Sequence, residues 1–127
     1  MAWIVGEGRL TSLYFRRSTD EGATWTKARK ISKENSDCMP PSIALGSGAV
    51  HVAWIDYYDR IDGEIYYTRS LDGGDTWEKN LIVVNNANSA RYPLIACSGN
   101  SVYLIWQDVE NKIFFKASHN QIGRAHV

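Results

Sequence analysis

A chain of 127 residues is about the length of one domain, and its 14 basic and 14 acidic residues cancel to a formal charge of zero. That balance gives no electrostatic footing for nucleic acid or an anionic membrane. No run of 18 apolar residues occurs, so no helical membrane span is expected, and Met1-Ala-Trp-Ile-Val-Gly6 lacks the basic start and apolar core of a signal peptide.

Taken in chain order, every apolar segment is short, rich in Val, Ile, Tyr and Trp, and bounded by Gly, Asn, Asp or Ser. These are strand signals, and no segment carries a capped 3.6-residue apolar period, so an all-β chain is expected. Ala2-Trp-Ile-Val5 is the first strand and Leu13-Tyr-Phe-Arg-Arg17 the second. Four strands follow, labelled A to D: Pro41–Gly46, Val50–Ile55, Glu64–Arg69 and Thr76–Val84. In strand B, Val50, Val52 and Trp54 share one face, and His51, Ala53 and Ile55 the other. A strand apolar on both faces suits a sheet covered on both sides. Pro93-Leu-Ile-Ala-Cys97 and Val102-Tyr-Leu-Ile-Trp106 then repeat strands A and B.

These segments recur at a spacing of 52 residues. Ser18-Thr-Asp20-Glu-Gly22-Ala-Thr24-Trp25 returns as Ser70-Leu-Asp72-Gly-Gly74-Asp-Thr76-Trp77, both reading S-x-D-x-G-x-T-W. A period of this length marks stacked repeats, each too small to bury its apolar face alone. The expected units are residues 1–33 (strands B, C and D), 34–85 (all four) and 86–120 (A, B and C). Residues 121–127 break the pattern and resemble the translation of a short-read sequencing adapter. They are expected to be a non-native tail, and the chain a truncated environmental gene product. Cys38 and Cys97 fall seven positions apart in repeat register, about 20 Å at ~3.3 Å per residue, so two free, buried thiols are expected.

The box reads as a hairpin loop between C and D. Gly22 and Gly74 supply backbone conformations other residues avoid. Ser18, Asp20, Ser70 and Asp72 can hold loop amides, Thr24 and Thr76 lead into strand D, and Trp25 and Trp77 are apolar anchors between sheets. Calcium binding would need oxygen ligands at loop positions these boxes do not supply, so no metal and no other cofactor is expected.

The box, preceded by Glu64-Ile-Tyr-Tyr67 and Arg69, resembles the Asp-box or BNR repeat of sialidase-like proteins, and the likeness covers nearly everything before the tail. It implies a partial β-propeller of four-stranded antiparallel blades, about two and a half of them present. It also implies a secreted or cell-envelope location, and a site around the axis on the face carrying the B–C and D–A loops. Residues expected there are Asp56, Tyr57, Tyr58, Asp59, Arg60 and Asp62 from one B–C loop, Asp108 from the next, and Arg91 from a D–A link. Arg91-Tyr92-Pro93 resembles the sialidase R-I-P motif, whose arginine holds a substrate carboxylate, a task that suits a bidentate guanidinium. The motif differs in its middle residue, and a solvated or Asp-paired arginine is the competing reading. Asp56 and Asp108 end their strands alike, which reads as a repeated loop cap. Tyr66 and Tyr67, matched by Phe114 and Phe115, read as core.

Three functions follow. The first is a non-catalytic module binding a glycan or protein ligand on the B–C face, with Tyr57 and Tyr58 stacking on sugar. The second is part of an exo-sialidase-type glycoside hydrolase whose catalytic residues lie mostly in other blades. The third is a structural repeat. Open blade edges are templates for pairing, so self-association is also expected.

Overall fold

A computed structural model of the chain describes residues 1–7, 10–46, 48–57, 63–84 and 91–119. Ten strands form three antiparallel sheets, with no helix among the described residues and therefore none long and apolar enough to cross a membrane. The first sheet orders β1 (Ala2–Glu7), β2 (Leu10–Phe15) and β3 (Arg29–Lys30). The second orders β4 (Ser42–Gly46), β5 (Ala49–Asp56), β6 (Glu64–Ser70) and β7 (Leu81–Val84). The third orders β8 (Arg91–Ser98), β9 (Ser101–Gln107) and β10 (Ile113–His119). Strands adjacent in sequence pair in space, as short turns between strands require. Gly48 (φ 74°) and Gly99 (φ 58°) turn the two A–B links in the left-handed region.

The sheets stack face to face through β5. Its Val50, Val52 and Trp54 join Tyr66 and pack on Leu13 and Phe15 of the first sheet. Its Ala53 and Ile55 join Ile65, Tyr67 and Val84 and pack on Ile95, Val102, Leu104 and Trp106 of the third. All eight residues of β5 are buried, as the two apolar faces of that strand foretell.

Three sequence expectations need correcting. Strand D was expected from Thr76, but the ladder begins at Leu81. Residues 76–80 follow β6 through separate contacts, Glu78 N donating to Arg69 O at 3.0 Å and Thr68 Oγ1 donating to Glu78 O at 2.8 Å. The loop before them turns Trp77 onto the neighbouring sheet, and that turn costs the ladder its first residues. Phe114 and Phe115, matched in the repeat to the core residues Tyr66 and Tyr67, are exposed; Phe115 lies on the outer face of β10, which no described sheet covers. Cys97 is half-buried rather than buried, lying on β8 close to its terminal turn, whereas Cys38 is buried; both thiols are free. Burial, with the Asp56 carboxylate beside it, pushes the Cys38 thiol up to about 12. The expected tail, 121–127, lies outside the described residues.

Candidate functional site

The β5–β6 register separates the two ends of the stack. Asp56 pairs with Glu64 at one end and Val50 with Ser70 at the other. The S-x-D-x-G-x-T-W loops therefore sit opposite the B–C loops.

Both boxes fold on themselves by the same bonds. Ser70 Oγ accepts from Gly74 N at 2.8 Å and donates to Asp72 Oδ1 at 2.7 Å. Asp72 Oδ1 accepts from Thr76 N at 2.9 Å, and Oδ2 from the Thr76 hydroxyl. Ser18, Asp20, Gly22 and Thr24 repeat this set. The aspartate oxygens are thus committed within the loop, which is turn-closing chemistry and not an ion cage. The threonine hydroxyl, then its amide, then the serine hydroxyl hold Asp20 down to about 2, and Asp72 is lowered by the same causes.

Both folded-state values lie below the ordinary carboxylate range. The loops therefore contribute their full stability above about pH 4 and lose it as pH falls toward 2. Melting temperature is expected to drop over that acid interval. Asp72→Asn should shallow the drop; an unchanged acid limb in that variant would show that these carboxylates do not set it.

The tryptophans that close the boxes differ. Trp77 meets Phe15 of the first sheet edge-on at 5.0 Å, and its Nε1 donates to Gly74 O at 3.1 Å. Trp25 is exposed, with the Arg16 guanidinium 5.0 Å from its ring. It was expected as an anchor between sheets, but no described sheet lies against it.

At the opposite end, a strap from residues 36 to 40 crosses between the first two sheets. Thr11 Oγ1 donates to Cys38 O at 2.7 Å, Asp37 N donates to Asp56 Oδ1 at 2.9 Å, and Met39 N donates to Ile55 O at 2.8 Å. Asp56 is buried and holds this strap. Asp108, its repeat mate, caps its own short loop by accepting from Glu110 N at 2.8 Å and Lys112 N at 2.9 Å. Neither carboxylate points to a free role in catalysis.

Beyond the strap, an open groove of about 330 Å³ is lined by Met39, Pro40, Ile55, Tyr57, Arg91, Tyr92 and Pro93. A β-bulge shapes one wall. Arg91 pairs with Gln107 and Leu94 with Ile105, leaving Tyr92 and Pro93 opposite one residue. Pro93 has no N–H to give a ladder, and Tyr92 adopts φ 52°. The bulge leaves Tyr92 73% exposed on the groove wall, beside an exposed Arg91. Arg91 makes no ion pair among the described residues.

The groove thus brings together Tyr57 and Arg91, two of the expected ligand contacts. It leaves Asp56 and Asp108 in cap roles. Tyr58, Asp59, Arg60 and Asp62 lie outside the described residues. Tyr92 and Met39 were missed as groove residues; the Tyr-Pro pair at the head of a strand was the available signal for a bulge.

No protein-family model matches the chain, and no curated protein matches it. Among solved structures, the α-L-arabinanase of Penicillium chrysogenum complexed with arabinobiose matches with a TM-score of 0.60 at 14% identity. The match covers 91% of this chain and 39% of that one. The chain is a partial β-propeller. Its three stacked antiparallel meanders are successive blades, about two and a half in number, spanning roughly two-fifths of the enzyme's length. At 14% identity the likeness is one of fold.

Proposed function

We propose that this segment of a propeller binds carbohydrate in the groove between Tyr57 and Arg91-Tyr92. The observation that carries the reading is the bulge, which leaves an aromatic ring and a guanidinium exposed together beside an open cleft. A flat ring offers a stacking surface to a sugar, and a guanidinium donates in a fork to hydroxyls or a carboxylate. The neighbouring carboxylates are engaged in caps, which favours binding over hydrolysis for this stretch of chain.

A second reading is supported by the likeness to a glycosidase propeller. The chain is then one part of a glycoside hydrolase that draws its catalytic carboxylates from other blades. The two S-x-D-x-G-x-T-W loops favour a sialidase-like member, with Arg91 on a substrate carboxylate.

Saturation-transfer NMR against sialyllactose, arabinobiose and neutral oligosaccharides tests the first reading. Arg91→Ala is expected to weaken binding about tenfold and Tyr92→Ala about three- to tenfold, with the fold unchanged. No signal from any sugar, or equal binding by both variants, would sink it. A fluorogenic sialoside turned over by the full-length protein would move the weight to the second reading.

A further inference from the structure

One side of the groove is fixed by the course of residues 37–39. Tyr57 N donates to Asp37 O at 3.0 Å, and Met39 N donates to Ile55 O at 2.8 Å. Two side chains set that course. Asp56, 2% exposed, accepts from Asp37 N at 2.9 Å through one carboxylate oxygen, and the Cys38 thiol lies 3.8 Å from the other. Thr11, on β2 of the first sheet, donates from its hydroxyl to Cys38 O at 2.7 Å. Its backbone adds two bonds, Thr11 N donating to Ser36 O at 3.2 Å and Cys38 N donating to Thr11 O at 3.3 Å. Neither Thr11 nor Asp56 lines the groove.

Repeat-related positions show what is particular to this joint. Met39 and Arg91 occupy one place in the 52-residue period, as do Thr11 and Gly63. With glycine at the place of Thr11, no side-chain hydroxyl is available there to grip a strap at the joint between the second and third sheets. The glycine serves the groove in another way. A methyl built on Gly63 would lie 2.8 Å from Ile55 Cγ2 and 2.9 Å from Tyr57 Cε1, and both residues line the groove. Bare backbone at that point leaves the Tyr57 ring its place. The repeat thus puts a hydroxyl where the strap is held and no side chain where the ring lies.

We propose that Thr11 and Asp56 are positioning residues of the groove, holding residues 37–39 from outside it so that the shape offered to a ligand depends on the first sheet as well as the second. This rests on the groove being the ligand site. Met39 and Tyr57 reach the groove from backbone that the strap fixes, and the strap is gripped from one sheet by a hydroxyl and from the other by a carboxylate. Losing either grip raises the share of molecules in which the two groove residues are out of place. The apparent affinity for a ligand falls in proportion to the share that stays competent.

Methyl-labelled methionine NMR tests the positioning without a ligand, because the chain has 2 methionines and Met39 is read apart from Met1. Thr11→Val keeps the bulk of the side chain and removes the hydroxyl; Asp56→Ala removes the carboxylate. Both are expected to move or broaden the Met39 signal. They should also raise the dissociation constant for sialyllactose or arabinobiose, whichever the wild-type chain binds, by about three- to fivefold and about tenfold. Thr11→Ser and Asp56→Asn each keep the hydrogen-bonding oxygen, so they should restore the signal and bring binding back to within about twofold. Ser70→Ala loosens the box at the far end of the second sheet; it should lower the melting temperature and leave the Met39 signal and the binding as in wild type. Should Asp56→Ala fail to fold, the Thr11 pair decides. An unmoved Met39 signal in Thr11→Val, the same movement in Ser70→Ala, or no rescue by Thr11→Ser overturns the proposal. A moved signal with unchanged sugar affinity also overturns it, because the strap would then not govern the site. If the wild-type chain binds neither sugar, the carbohydrate reading falls, and the methyl signals alone decide the positioning.

Discussion

Gly74→Ala is expected to lower the melting temperature by about 10 °C, equivalent to roughly 2–4 kcal/mol for a domain of this size. Two causes add. Gly74 holds φ 102°, a conformation an L side chain adopts only under strain. A methyl built there would also run into the Phe15 ring, which is buried in the first sheet and has little room to retreat. The internal control is Gly22, the same position of the first box. Its φ is 89°, but a methyl there would meet only Trp25, at 3.8 Å. Gly22→Ala should cost about 1 kcal/mol, the backbone part alone. Thermal melts of the two variants check this, and equal losses would show that the contact with Phe15 contributes nothing. At the preceding position the first box carries Glu21 at φ 59° and the second Gly73 at φ 74°. A side chain at position 73 would have to displace the Arg17 guanidinium.

Trp54→Ala is expected to cost about 3–5 kcal/mol, enough to unfold most of a small domain at moderate temperature. Trp54 is fully buried between the first two sheets and stacks on Tyr66, so its removal leaves a large cavity in a two-sided strand. Trp3→Ala, at the same place in the repeat, should cost about 1 kcal/mol in the single chain, because that ring is only partly covered. Urea denaturation of both variants measures the difference. Similar losses would mean that Trp3 is covered in solution.

Much of the fold was legible in the residues. The alternation in Val50–Ile55 predicted which side chains share a face, because side-chain direction in a strand depends only on parity. The repeated S-x-D-x-G-x-T-W loop was legible because every bond that closes it lies within five residues. The start of strand D was not, since its pairing depends on where Trp77 goes, and Trp77 is drawn to a ring 62 positions away, Phe15, in another sheet. Asp56 and Asp108 are alike in sequence context, yet one holds the strap that links the first two sheets and the other its own loop. Asp108 stands at the head of a shorter B–C link, a difference the aspartate itself does not encode. Tyr57 and Arg91 could be placed on one face from topology, but the groove they share needed the bulge at Tyr92-Pro93.

By itself, then, the sequence determined what is local: strand parity, the closing of the boxes, and the order of the strands. Short-range hydrogen bonds and the two-residue period of a strand leave little choice there. The tertiary structure decided which of the recurring apolar positions are covered. Burial is a property of a pair of surfaces, so Phe15 and Phe115, equivalent in the repeat, differ because one has a described sheet upon it and the other has none among the described residues.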